Sequence, residues 1–193
     1  MFKVRIHGRG GQGAVTAAEM LSVAAFDEGM HAQAFPTFGS ERSGAPVVSF
    51  CRIDDKPIRI HEPISEPDAL IVLDPTLLHQ VKVFEGVGPE AYVLINTSRS
   101  FEELGIDDFS GGLYDGRLLS VPATDFARER LGRPLPNAAL LGGFAALTGV
   151  VSLDSVVGAI RQRFAGPVGE ANVLAAGDAF AHVVREKGRL ADA

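Results

Sequence analysis

A single cysteine, Cys51, is all that the 193 residues contain, and that scarcity removes several kinds of protein at once. No disulfide framework, cysteine-rich zinc site or all-cysteine iron–sulfur cluster can be assembled from this chain alone. Cys51 also lies in the apolar stretch Val47-Val48-Ser49-Phe50-Cys51, so it is expected to be a small buried hydrophobe. A catalytic thiol needs a basic, accessible setting, and no neighbour supplies one. Positive charge is short as well: 18 Lys and Arg stand against 24 Asp and Glu, a net charge of −6 with a pI of about 5.3. That balance offers nothing to a nucleic acid or an anionic membrane, which want clustered Lys and Arg. Long apolar runs are missing too. The longest, Ala138 to Val151, is interrupted by Gly142, Gly143 and Gly149 and is too short to span a bilayer. The N-terminal Met1-Phe2-Lys3-Val4-Arg5 alternates charged and apolar residues and lacks the core of a signal peptide, so a cytoplasmic protein is expected.

What the chain does have is ordinary for a soluble domain. Apolar residues at 46% and charged residues at 22% argue against disorder, and a chain this long buries a core without staples. One domain over residues 1–193 is expected.

Lys3 to His7 alternate polar and apolar and read as a strand. Gly8 to Gly13 form a tight turn, and an Ala-rich helix follows from Ala14 to Glu28, ending at Gly29. Phe35 to Pro46 is a loop punctuated by Pro36, Gly39, Gly44 and Pro46. Val47–Ile53 and Pro57–His61 read as a hairpin across Asp54-Asp55-Lys56. Ala69–Leu73 and Ala91–Asn96 are continuous apolar runs, the mark of strands covered on both faces, with a helix expected over Thr76–Phe84 between them. Phe101 to Gly116 reads as irregular and Leu118–Val121 as a last strand. Thr124–Leu131, Ala138–Leu147, Leu153–Phe164 and Glu170–Lys187 read as helices, with Ser152 an N-cap and Gly188 a stop. The fold class is therefore α/β, a three-layer α/β/α arrangement with a mixed, mostly parallel sheet and a helical C-terminal third. Lys3, Arg5 and His7 sit oddly in a strand expected to be buried; either it lies at an edge or one face meets a partner subunit.

Gly8-Arg9-Gly10-Gly11-Gln12-Gly13 matches G-x-G-x-x-G between a strand and a helix, where the pattern has meaning. Missing β-carbons let the backbone approach a ligand closely, and the N–H groups that open the helix favour a phosphate. Arg9 brings a positive charge and Gln12 a hydrogen-bonding side chain. An NAD site places an acid about 20 positions on, at the end of the second strand. Here that region reads His31-Ala32-Gln33-Ala34-Phe35, without one. Phosphate contact and a merely tight strand–helix crossing both remain open readings of the turn.

The loop Phe35-Pro36-Thr37-Phe38-Gly39-Ser40-Glu41-Arg42-Ser43-Gly44-Ala45-Pro46 suits a segment pressed against another surface, although most such loops are solvated connections. An N-terminal strand running into GRGGQG, followed by PTFGSERSGAPV, closely resembles the gamma subunit of 2-oxoacid:ferredoxin oxidoreductases, a family that includes the pyruvate, 2-oxoisovalerate and phenylglyoxylate enzymes. Pro136-Asn137 before Gly142-Gly143, and Arg163-Phe164 running on to Glu170-Ala171-Asn172, extend the resemblance over nearly the whole chain. It implies an oxidoreductase subunit, inactive alone, in a complex that decarboxylates a 2-oxoacid on thiamine diphosphate, passes electrons through iron–sulfur clusters and forms an acyl-CoA. Thiamine diphosphate and the clusters would belong to alpha, beta and ferredoxin-like partner subunits. This chain would contribute to CoA binding, with Gly8, Arg9, Gly10, Gly11, Gln12 and Gly13 on the cofactor side and Ser40, Glu41 and Arg42 toward the active region or the partner. No residue of this chain is expected to be catalytic or to bind metal. The alternatives are a stand-alone Rossmann-like NAD(P)- or FAD-binding oxidoreductase, and a purely structural partner subunit.

Other chemistry finds little support. His7, His31, His61, His79 and His182 show no helical or strand spacing of a metal site. No G-x-S-x-G elbow is present, so Ser40 and Ser43 read as loop hydrogen-bonders. Asp74-Pro75 and Asn96-Thr97-Ser98 stand at strand C-terminal ends, where ligands gather in open α/β sheets, and where Asx and Ser/Thr turns are equally at home.

Overall fold

Val4 and Ile6 point to one side of strand β1 (Phe2–Arg9) and Lys3, Arg5 and His7 to the other, and this alternation organises the sheet around it. A computed structural model describes residues 1–37 and 43–192. After β1 come helix α1 (Ala14–Asp27), β2 (His31–Pro36), β3 (Pro46–Asp54) and β4 (Ala69–Val72). Then follow β5 (Tyr92–Asn96), a short helix α2 (Asp107–Ser110), β6 (Leu118–Val121), and helices α3 (Ala123–Leu131), α4 (Asn137–Thr148), α5 (Leu153–Arg163) and α6 (Gly166–Ala191). The strand order is β2-β3-β1-β4-β5-β6. Strands β1, β4, β5 and β6 run parallel, and β3 lies antiparallel between β1 and β2.

The sheet is the middle of three unequal layers. On one face Val4, Ile6, Cys51, Ile71 and Leu94 meet the small residues of α1 and the apolar sides of α4, α5 and α6 in one buried cluster. On the other face Leu70, Val72, Val93 and Ile95 meet Leu77 and Leu78 of a 3₁₀ turn (Pro75–His79) and Val83, Leu104 and Ile106 of irregular chain, with Phe109 of α2 packed against them. Helix α4 is buried from Asn137 to Ala145 on every side, as its unbroken apolar sequence requires. It crosses α6 so closely that a β-carbon on Gly142 would stand 2.0 Å from the Ala176 carbonyl oxygen.

Several expectations are corrected. Pro57–His61 is not a strand, and β3 pairs instead with β1, from Phe2↔Ile53 to Arg9↔Pro46. Thr76–Phe84 is not one helix but the 3₁₀ turn Pro75–His79 followed by further turns. Gly188 does not stop the last helix, which begins at Gly166 with Pro167 in its first turn and continues to Ala191. Ser152 does cap α5, accepting from the Ser155 amide at 3.2 Å.

The polar face of β1 has a cause of its own. The strand is central, and Arg5 and His7 are buried, so they mark neither an edge nor a surface left open by this chain. The Arg5 guanidinium donates to the carbonyls of Ile64 and Ser65 (3.3 and 3.1 Å) and of Val83 and Glu85 (2.9 and 2.6 Å). Arg52 on β3 donates likewise to the Ile60 and Glu62 carbonyls. Irregular chain laid over a sheet leaves backbone carbonyls to satisfy; these two arginines satisfy them. Burial lowers the pKa of Arg5, with Glu85 pulling the other way. Burial and then the Arg5 charge push His7 down to about 4, a neutral imidazole.

Candidate functional site

The parallel strands all deliver their C-terminal ends to one edge of the sheet: β1 to Gly8–Gly13, β4 to Asp74, β5 to Asn96 and β6 to Pro122. The chain leaving β1 enters the helical layer through α1, and the chain leaving β4 enters the opposite layer through the 3₁₀ turn. A crevice between such neighbours is where open α/β sheets bind ligands.

The glycines of the turn have separate tasks. Gly11 (φ 95°) and Gly13 (φ 82°) occupy the left-handed region that other residues adopt only at a cost. Gly13 is also overlain by Asn137, whose Nδ2 is 2.5 Å from where a β-carbon would be. Gly10 is stitched to the start of β3: its amide donates to Ala45 O at 2.9 Å, and its carbonyl accepts from the Gly44 amide at 3.0 Å.

The polar side chains of the turn face inward, onto one acid. Asp74 Oδ2 accepts from Arg9 Nε at 3.0 Å and from Gln12 Nε2 at 2.8 Å. Its Oδ1 accepts from the Thr76 amide at 2.9 Å and the Thr76 hydroxyl at 2.6 Å. The other Arg9 nitrogens donate to Gly44 O, Thr76 Oγ1 and Gln80 Oε1, and Gln12 Oε1 accepts from the Arg9 amide. Burial raises the Asp74 pKa, but bonds from Thr76 and Gln12 and the Arg9 charge outweigh it and hold the carboxyl below its ordinary value. The Arg9 charge is thus matched by Asp74 within the rim. Asn96 completes the frame, donating to Leu73 O and Thr124 Oγ1 (both 2.7 Å) and accepting from the Thr124 amide at 3.0 Å.

What faces outward is backbone. The first intrahelical bond of α1 runs from the Ala17 amide to Gly13 O, so the amides of residues 14–16 have no intrahelical acceptor. Gly13 caps the helix without a side chain, and the first turn holds no acid. This bare helix end lines a cavity of about 570 Å³ with Arg9, Gly10, Gly11, Ser43 and Val47. A second cavity of about 550 Å³ adjoins it over Gly10, Gln12, Asp74, Asn96 and Thr124. An uncapped helix N-terminus without an acid is a place for an anion.

Gly8 through Gly13 therefore stand together at this edge, as the sequence placed them. Ser40, Glu41 and Arg42 lie outside the described residues; the flanking Thr37 and Ser43 are at the same edge. Among the described residues no acid stands where a dinucleotide ribose would want one: on the side of β1 away from β4 the neighbour is the antiparallel β3, which begins at Pro46-Val47, while β2 is a strand further out. Asp74 and Asn96 do sit at strand ends as the sequence suggests, but their long-range bonds to Arg9, Gln12 and Thr124 carry no sequence signal. Asn137, laid on Gly13, was legible only as the head of a helix. Cys51 is buried and its thiol is pushed up to about 12 by burial. Among the described residues no three His, Cys, Asp or Glu side chains gather as a metal site, and no helix is long and apolar enough to cross a membrane.

The sequence pattern of the pyruvate ferredoxin/flavodoxin oxidoreductase family matches residues 3–182. The common gamma subunit of pyruvate/ketoisovalerate oxidoreductases from Thermococcus kodakarensis is 52% identical over 180 residues, covering 93% of this chain and 96% of its own. The crystal structure of pyruvate oxidoreductase subunit PORC from Thermotoga maritima superposes with a TM-score of 0.78 at 34% identity, over 93% of this chain and 95% of that one. The 2-oxoglutarate:ferredoxin oxidoreductase of Magnetococcus marinus, determined with 2-oxoglutarate, coenzyme A and succinyl-CoA bound, shares the fold (TM-score 0.71, 17% identity). It matches 99% of this chain with 31% of its own.

Proposed function

Because this chain belongs to the pyruvate ferredoxin/flavodoxin oxidoreductase family, as the gamma subunit of a 2-oxoacid:ferredoxin oxidoreductase complex, we propose that its glycine-rich edge is the part of the complex that holds CoA. The bare N-terminus of α1 over the cavity of about 570 Å³ carries this reading. Backbone amides and a helix end without an acid in its first turn favour a phosphate there, and the nearby Asp74 carboxylate is matched by Arg9. When bound, CoA supplies the thiol that accepts the acyl group. The work of this chain is positional. Gly11 and Gly13 bring the main chain to the cavity, Asp74 fixes the turn through Arg9 and Gln12, and Asn96 fixes the neighbouring rim.

The same proposal assigns thiamine diphosphate and the iron–sulfur clusters to alpha, beta and ferredoxin-like subunits. The donor set here does not fit a cluster of cysteine thiolates, since the one thiol is buried and held protonated. A stand-alone NAD(P) or FAD enzyme finds no support at the ribose position among the described residues. The direct test is reconstitution. The purified chain alone should not turn over a 2-oxoacid, and the complex should lose CoA-dependent turnover when the chain is omitted. Turnover by the chain alone, or full CoA-dependent activity without it, refutes the assignment.

A further inference from the structure

Two helices begin beside the glycine turn, and neither is capped by a side chain. Helix α1 starts at Ala14 behind Gly13, and α4 starts at Asn137 behind Pro136; the first turn of neither holds an acid. The first intrahelical bond of α4 runs from the Leu140 amide to Pro136 O. The amides of residues 137–139 therefore have no intrahelical acceptor, like those of residues 14–16. The two ends touch. The Asn137 side chain lies across Gly13, its Nδ2, Cγ and Cβ standing 2.5, 3.0 and 3.3 Å from where a β-carbon would be. Asn137 is buried, and it is the only polar side chain of α4 before Thr148. The residues just before it, Leu135 and Pro136, line the cavity of about 550 Å³ together with Gly10, Gly11 and Gln12.

We propose that Asn137 is a positioning residue for the phosphates of CoA. It holds Gly13 in the conformation that sets the direction of the residue 14–16 amides, and it keeps the meeting point of two helix N-termini free of charge. The inference rests on the CoA reading of the glycine turn and names a residue outside that turn on which it depends. Each half has its own warrant. Gly13, at φ 82°, has no side chain to limit its backbone, and glycine moves readily between left- and right-handed regions. A side chain packed on its open side restricts that freedom. The second half is electrostatic. A helix N-terminus attracts an anion, and two that meet attract it together. An Asp at position 137 would suit the first turn of α4, yet its carboxylate would oppose the field that a phosphate otherwise meets. Asn has the shape of Asp without the charge.

The test is made on the assembled complex, titrated with CoA. Asn137→Asp should weaken CoA binding by at least about tenfold at low salt, and by less as salt is raised, since charge carries the effect. Asn137→Ala frees Gly13 without adding charge and should weaken binding by about threefold at any salt concentration. In turnover assays both variants should raise the KM for CoA and leave the KM for the 2-oxoacid at its wild-type value, a split that general loosening of the fold would not produce. The isolated Asp variant should melt no lower than the Ala variant, because the first turn of a helix favours an acid; if it melts lower, the Ala variant alone decides. Wild-type CoA affinity in the folded variants, or equal rises in the two KM values, overturns the proposal and leaves the CoA reading standing. A wild-type complex that binds no CoA overturns both.

Discussion

Arg9 Nε and Asp74 Oδ2 stand 3.0 Å apart although 65 positions separate them in sequence. Asp74 locks a glycine turn whose charged side chain a motif would assign to the ligand. Glycine gives the turn its shape, and the acid at the end of the next parallel strand holds that shape against the freedom glycine also confers.

Asp74→Asn should loosen the turn without unfolding the sheet. It exchanges a charge-assisted acceptor of Arg9 and Gln12 for a neutral amide, with an expected loss of about 1–3 kcal/mol by denaturant titration. The sign with pH follows from a carboxyl held below its ordinary value. Its stabilisation is full above the unfolded pKa of about 4 and disappears as the solution is acidified through the lower folded value. The wild type should therefore lose more stability than Asp74→Asn over that acid range. Parallel curves would show that the carboxylate does not fix the turn.

Acid should act on the other sheet face at a higher pH. His7 is held neutral, its pKa lowered from 6.5 to about 4 by burial and by Arg5. The fold keeps the full benefit of the neutral ring above 6.5 and loses it progressively as pH falls toward 4, roughly 3 kcal/mol in all. His7→Leu should flatten the melting temperature against pH within that window, and an unchanged slope would show that His7 is not the titrating group.

Two helix glycines should respond in opposite directions. Gly142→Ala drives a β-carbon to 2.0 Å from the Ala176 carbonyl oxygen, and the forced separation of α4 and α6 should cost about 1–3 kcal/mol or more. Gly177→Ala on α6 meets nothing within 4 Å and should raise stability by up to about 1 kcal/mol through helix propensity. Thermal melts of the two variants decide it; a stable Gly142→Ala would mean that the helices can part freely.

Local pattern made much of this molecule legible. The apolar runs behind β4 and β5, the small residues of α1 and the unbroken apolar α4 each state their place by composition. Expectation failed where a distant partner decides. Val47–Ile53 pairs with β1 rather than with Pro57–His61, while Arg52 takes the Ile60 and Glu62 carbonyls and Arg5 those of Ile64 and Ser65, so the later chain is held off the ladder as irregular structure. Gly188 remains helical because one glycine in a long helix costs only about 1 kcal/mol. In the site, Gly8–Gly13 was visible as a motif. The acid beneath it was not, since nothing in an Asp-Pro pair reveals which arginine it will meet.

Isothermal titration of CoA into the assembled complex tests the central claim most directly. Gly11 holds φ 95° with open space where its β-carbon would be, so Gly11→Val disturbs the turn by backbone strain of about 1–2 kcal/mol without a clash elsewhere. The complex carrying Gly11→Val should assemble normally and bind CoA roughly tenfold or more weakly than the wild-type complex, a loss of about that size. Equal CoA affinity in the two assembled complexes would contradict the account and leave the glycines only a strand–helix crossing to make.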